Sequence, residues 1–194
     1  MDKKLFFFDV ETTGLDPKRH DIIQLAYIID QEHTIIDKGC FYIAPEHPDA
    51  IDPEALAVNK RTLPEILSWP RAHLVYRDFI DMLAHHVDRY DSRDKFYPIA
   101  YNGNFDYSFL QTFFKRRDDP YFGAWFNHRL LDPMALIRFL DYEGLINSAS
   151  HKLKIMAEYF KIVLPDANFH DAIDDVFALR QIFYRVLEYI KEPL

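Results

Sequence analysis

Residues 5–15 read LFFFDVETTGL. An unbroken apolar run enters Asp9, and Glu11 follows two positions on. Such a run, closed by turn residues, predicts a strand over residues 4–9 that is buried on both faces. Side chains at i and i+2 of a strand share a face, about 7 Å apart. Asp9 and Glu11 therefore converge above the end of this strand. Left bare, they repel and raise one another's pKa. A divalent cation reverses that cost, and hard oxygen ligands suit Mg²⁺ or Mn²⁺. Taken alone, the pair also reads as a solvated strand end leading into the turn TTGLD.

Outward from this stretch, residues 22–30 and 34–43 are rich in β-branched and aromatic side chains and predict two further strands. Residues 44–70 hold five prolines and predict loops and short helices. Residues 71–87 carry apolar side chains at 75, 79, 82, 83 and 87, a helical stripe. Residues 96–101, FYPIAY, read as a central strand that Pro98 weakens. A helix follows over 104–117. Residues 128–140 read as a short strand with Pro133 opening a helix. Amphipathic helices are expected over 148–162, capped by Ser148 or Ser150, and over about 171–190. Strands first, then helices alternating with strands, predict an α/β fold with a mixed sheet flanked by helices.

The chain has 194 residues, enough for one domain spanning 1–194 with a substantial core. Half of it is hydrophobic, which excludes a disordered chain. The single cysteine, Cys40, excludes an internal disulfide and a thiolate zinc cluster. No apolar run approaches membrane-span length, and Asp9 interrupts the short apolar start. These features lead us to expect a soluble, intracellular protein (cytoplasmic in a prokaryote) with no membrane partner. The net charge of −8 opposes binding nucleic acid by side-chain charge alone. Bound divalent cations would supply the missing positive charge.

Two further segments bear on the carboxylate pair. AYNGNFDYSFL, 100–110, places Asp106 just inside a predicted helix, where an acid also suits the helix dipole. Asn102 and Asn104 there have the chemistry of turn or cap residues. NFHDAIDDVFALRQIF, 168–183, supplies His170 and Asp175 at the start of the last helix. Five helical residues turn about 500°, which leaves two side chains ~140° apart. If both serve one site, His170 belongs to the loop before the helix.

FDVETTGL, YNGNFD and HDAIDD occur in the order and context of the DEDD exonuclease superfamily. The spacing of His170 and Asp175 resembles its DEDDh, or DnaQ-like, branch, the group of the polymerase epsilon proofreading subunit, exonuclease X, RNase T and oligoribonuclease. LLDPMAL (130–136) and SHKLKIMAEYFKI (150–162) extend the resemblance over nearly the whole chain. It implies a ribonuclease H-like fold with a central mixed five-stranded sheet. It also implies 3′→5′ hydrolysis that releases nucleoside 5′-monophosphates from a free 3′ end. In its terms Asp9 bridges two cations, Mg²⁺ or Mn²⁺, and Glu11 and Asp175 bind the ion carrying the attacking water. Asp106 holds the second ion, and His170 is the general base. Paired cations about 3.5–4 Å apart stabilise both the attacking and the leaving oxygen, and a histidine titrating near ~6.5 can take the proton.

The same resemblance assigns Thr12, Thr13 and Gly14 to the terminal nucleotide and Leu15 to a wedge against the last base. It assigns Asn102 to the second-motif substrate contact, and Tyr101 or Phe105 is placed to stack on a base. Many relatives have His where this chain has Tyr101. DNA, single-stranded or frayed, is the expected substrate, with a polymerase or another replication or repair protein as an allowed partner. An exoribonuclease of the RNase T or oligoribonuclease type shares all five residues. A silent nucleic-acid-binding module would usually lose an acid, and none is lost here. Lys60, Arg61, Lys152 and Lys154 read mainly as a solvated face. KRRDD (115–119) reads as a complement to a helix dipole, and His85 and His86 read as ordinary helix residues.

Overall fold

The computed structural model describes residues 3–163 and 172–191. Four strands, β1 (Lys4–Thr12), β2 (Ile22–Gln31), β3 (Thr34–Tyr42) and β4 (Phe96–Ile99), form one mixed sheet in the order β3-β2-β1-β4. β1 pairs antiparallel with β2 and parallel with β4, and β2 pairs antiparallel with β3. The helices are α1 (Pro53–Asn59), α2 (Leu63–Leu67), α3 (Ala72–His86), α4 (Asn104–Lys115), α5 (Phe122–Trp125), α6 (Pro133–Tyr142), α7 (Leu153–Tyr159) and α8 (Ala172–Lys191). None is long and apolar enough to cross a membrane.

The apolar run of β1 is continuous because both sheet faces are covered. Phe6, Phe8 and Val10 enter a core with Val75, Phe79 and Leu83 of α3 and Phe109, Phe113 and Phe114 of α4. Phe7 points to the other face, into a core with Val176, Leu179 and Phe183 of α8. A smaller cluster joins Ile137 and Leu140 of α6, Met156 of α7 and Ile182 and Val186 of α8. The architecture is therefore helix layer, sheet, helix layer.

α8 is fixed to the sheet by a buried acid. Asp30 of β2 is fully buried and accepts from Arg180 Nε at 2.6 Å and from the Tyr184 hydroxyl at 2.7 Å. The same guanidinium donates to the His33 carbonyl at 2.7 Å. These contacts set the height of α8 along the sheet.

The expected fifth strand is not among the described residues, and Pro98 is the reason. Even-numbered residues of β4 face the outer edge: Phe96 O accepts from Asn127 N, Pro98 O from Leu131 N, and Ala100 N donates to Leu131 O. A regular ladder needs an N–H from residue 98 on that edge, and proline has none. A four-residue step outside, from 127 to 131, thus matches a two-residue step of β4, from 96 to 98, and only isolated bridges form, at Phe126 and Leu131. The helix expected over 148–162 is also shorter. It starts at Leu153, with Lys152 rather than a serine at its cap position, and Ser150 accepts only a long bond from Lys152 N, 3.4 Å.

Candidate active site

The strand at 4–9 continues to Thr12, so Asp9 and Glu11 both lie within β1. They share the face of Phe7, which meets Phe183 edge-on at 5.3 Å. From Phe183 back to Asp175 α8 rises about 12 Å. From Phe7 to Glu11 the strand rises about 13 Å. Helix and strand run in opposite directions, so Asp175, in the first turn of α8, stands level with the acidic end of β1.

Asp106 arrives from the other neighbour of β1. β4 pairs with β1 only as far as Phe7. Beyond it, α4 takes the place of the strand, and Asp106 Oδ1 accepts the Val10 N–H at 3.1 Å. The carboxylate thus fills a ladder position that β4 leaves open, and the residue is only 6% exposed. The turn leading into α4 is held by Asp132, whose Oδ1 accepts both Asn102 N, at 3.0 Å, and Met134 N, at 3.0 Å. That bond fixes Asn102 in its left-handed conformation, φ 53°.

The electrostatics show how closely the acids are associated. Burial raises the Asp9 pKa well above the usual carboxylate range, and the charges of Asp106, Glu11 and Asp175 raise it further. Burial also pushes Asp106 up to about 7, against the hydrogen bond from Val10 N. Among the described residues no three His, Cys, Asp or Glu side chains close into a ready-made cage. Asp106, Glu11 and Asp175 each act on Asp9 at a shared end of the sheet. An all-oxygen, multiply anionic donor set of this kind fits a hard divalent cation. His170 lies outside the described residues.

The segment after the acids is pinned from three sides. Thr13 is fully buried; its N–H donates to Asp21 O and its hydroxyl accepts from Asp21 N, both at 2.9 Å. Asn59 Nδ2 donates to Thr12 O at 2.9 Å, and Thr12 Oγ1 donates to Gly14 O at 2.7 Å. A Cβ on Gly14 would stand 2.5 Å from the His20 ring, so any side chain there would have to displace that ring. Asp21 in turn binds the Arg116 guanidinium, which also donates to the carbonyls of Pro17 and His20 at 3.1 Å each. Arg116, read from sequence as a dipole complement, is instead the clamp on this turn. Leu15 projects from it, 79% exposed. The N–H groups of Gly14 and Leu15 meet no acceptor among the described residues.

The other expected contacts are more interior. The Tyr101 hydroxyl donates to the His151 carbonyl at 2.6 Å and its ring packs into the α6–α7–α8 cluster. Phe105 is half-buried, its ring 4.8 Å from that of Phe109. Arg61 pairs with Glu65, and His86 with Asp37. Asp21, Asn59, Arg116 and Asp132 were not singled out as site residues from the sequence. Their long-range partners lie from 30 to 99 positions away, and LLDPMAL carried the signal for Asp132 alone.

A sequence model of the RNase T family, described as Exonuclease, matches residues 6–183. The chain belongs to this exonuclease family. DNA polymerase III PolC-type of Thermotoga petrophila is 28% identical over 192 residues, covering 95% of this chain and 12% of that protein. The Listeria welshimeri protein of the same name is 27% identical over 189 residues, covering 95% and 11%. Among solved structures, the zinc-bound complex of Escherichia coli exonuclease I with single-stranded DNA superposes with a TM-score of 0.79. It is 20% identical and covers 98% of this chain and 43% of that one. E. coli exonuclease I with a dT13 oligonucleotide gives 0.76 at 22% identity, covering 95% and 40%. This exonuclease-family chain therefore spans a small part of the polymerase relatives and under half of the exonuclease I chains, whose fold it shares.

Proposed function

We propose that this chain is a divalent-metal-dependent exonuclease that removes nucleotides from the 3′ end of DNA, single-stranded or frayed, and releases nucleoside 5′-monophosphates. The observation that carries the reading is Asp9, held among Asp106, Glu11 and Asp175 at one end of the sheet. Mutual repulsion there serves no structural purpose. Membership of the exonuclease family supports the reading, as do the oligonucleotides bound to the E. coli neighbours.

Asp9, Glu11, Asp106 and Asp175 would hold the cations, which when bound offset phosphate charge and acidify water. The chain's own contribution is rigidity and placement. Asp9 and Glu11 are carried on a strand packed on both faces. The pinned turn presents the Gly14 and Leu15 N–H groups and the Leu15 side chain to the terminal nucleotide. Thr12 and Thr13 support that turn from within. His170 would accept the proton of the attacking water. Residues 1–194 would act as one exonuclease unit, alone or within a replication or repair assembly.

Parallel 5′-labelled DNA and RNA oligonucleotides, incubated with Mg²⁺ or Mn²⁺, test the reading. A stepwise ladder shortening from the 3′ end, faster on DNA and absent with chelator, is expected. Faster loss of RNA would move the substrate to the exoribonuclease class. Full-length DNA and RNA under both metals would overturn the proposal.

A further inference from the structure

Gln24 is the polar interruption in IIQLAYIID, and it is only 1% exposed. Its side-chain amide nitrogen finds no hydrogen-bond acceptor among the described residues. β2 places it directly opposite Glu11 of β1 and, on its other side, opposite Tyr42 of β3. Facing residues of an antiparallel ladder project to the same side, with Cβ atoms about 4.5–5.5 Å apart. Gln24 thus lies on the sheet face that carries Asp9, Glu11 and α8.

An orphan amide N–H in such a place costs about 1–3 kcal/mol, which a methionine or leucine would avoid. The other buried polar residue of this strand, Asp30, is fully engaged with Arg180 and Tyr184. Of its two cross-strand neighbours, the one that gives Gln24 an anionic acceptor is Glu11. Rotation of the terminal amide exchanges its NH₂ and carbonyl, and a carboxylate neighbour selects the NH₂. Burial keeps Gln24 off the substrate, so any part it plays in the reaction runs through Glu11.

We propose that Gln24 is a positioning residue for Glu11: its side-chain N–H is donated to one oxygen of the Glu11 carboxylate and leaves the other for a divalent cation. Hydrogen bonds to ligating carboxylates fix their orientation in this way. The inference rests on the reading of Glu11 as a cation ligand.

Gln24→Met removes the amide and keeps an unbranched side chain of similar length. Mn²⁺ binding by titration calorimetry and the thermal midpoint of the metal-free protein are the readouts. The expected result is a roughly 10–100-fold loss of Mn²⁺ affinity with a midpoint equal to or above that of wild type, since the orphan amide is gone. In a Glu11→Ala background the same substitution should change affinity no further. Affinity within twofold of wild type, or an equal loss with and without Glu11, overturns the inference. Should Gln24→Met not fold, the Gln24 side-chain amide resonances of the wild-type protein are followed by NMR. They should move on addition of Mg²⁺ and lose that response in Glu11→Ala; resonances unmoved at saturating Mg²⁺ overturn the inference. Wild-type protein that binds no Mn²⁺ overturns the exonuclease reading as well, whereas normal wild-type binding beside an unaffected Gln24→Met overturns this inference alone.

Discussion

Asp106 accepts a backbone N–H, which favours its ionised form, yet burial outweighs that bond and lifts the group from 3.8 to about 7. Between those values the folded protein keeps a proton that the unfolded chain has lost. Metal-free stability therefore falls as pH rises across that window, by up to about 1.4 kcal/mol per pH unit for one such group. Asp9 is raised in the same direction and adds to the slope. Without metal, the thermal midpoint should be higher at pH 6 than at pH 8. Asp106→Asn should flatten the difference, and an identical pH profile in the variant would contradict the assignment. At this scale the sequence exposed the acids because an Asp-x-Glu at the end of an apolar run has no packing purpose. Gln24, an amide inside an apolar strand, gains its significance only from the β1–β2 register. Asn59 and Arg116 carry no local signal: each looks like a surface polar residue until the fold brings the 12–20 turn to it.

The elements divide by how local their causes are. β1, β2 and α8 follow from hydrophobic pattern alone, and the structure places them within a few residues of that pattern. The edge beside β4 does not, because a strand there depends on donors supplied by a neighbour, and Pro98 withholds one. The position of α8 depends on Asp30, Arg180 and Tyr184, contacts spanning 150 residues or more. Asp30→Ala leaves Arg180 without its buried partner and should destabilise the protein by about 3 kcal/mol. Chemical denaturation of wild type and variant measures this. Because α8 carries Asp175, metal affinity should fall as well; a loss under 1 kcal/mol with unchanged metal affinity would show that α8 is held by apolar packing alone.

For the molecule as a whole, three layers bury both faces of the central strand and leave one end of the sheet to carboxylates. Rigidity at that end has an electrostatic cost, since the packing that aims Asp9 also desolvates it. The net charge of −8 sharpens the same point: a polyanionic substrate needs positive charge that this chain does not carry in surplus. Divalent cations would resolve both, offsetting repulsion within the site and attracting phosphate to it. The most direct test of this account is Mn²⁺ titration calorimetry of wild type and Asp9→Ala at neutral pH. It predicts two ions per wild-type chain, proton release on binding, and loss of that binding in an Asp9→Ala protein that stays folded. Wild-type protein that takes up no Mn²⁺, or an Asp9→Ala variant that binds it as wild type does, would contradict it.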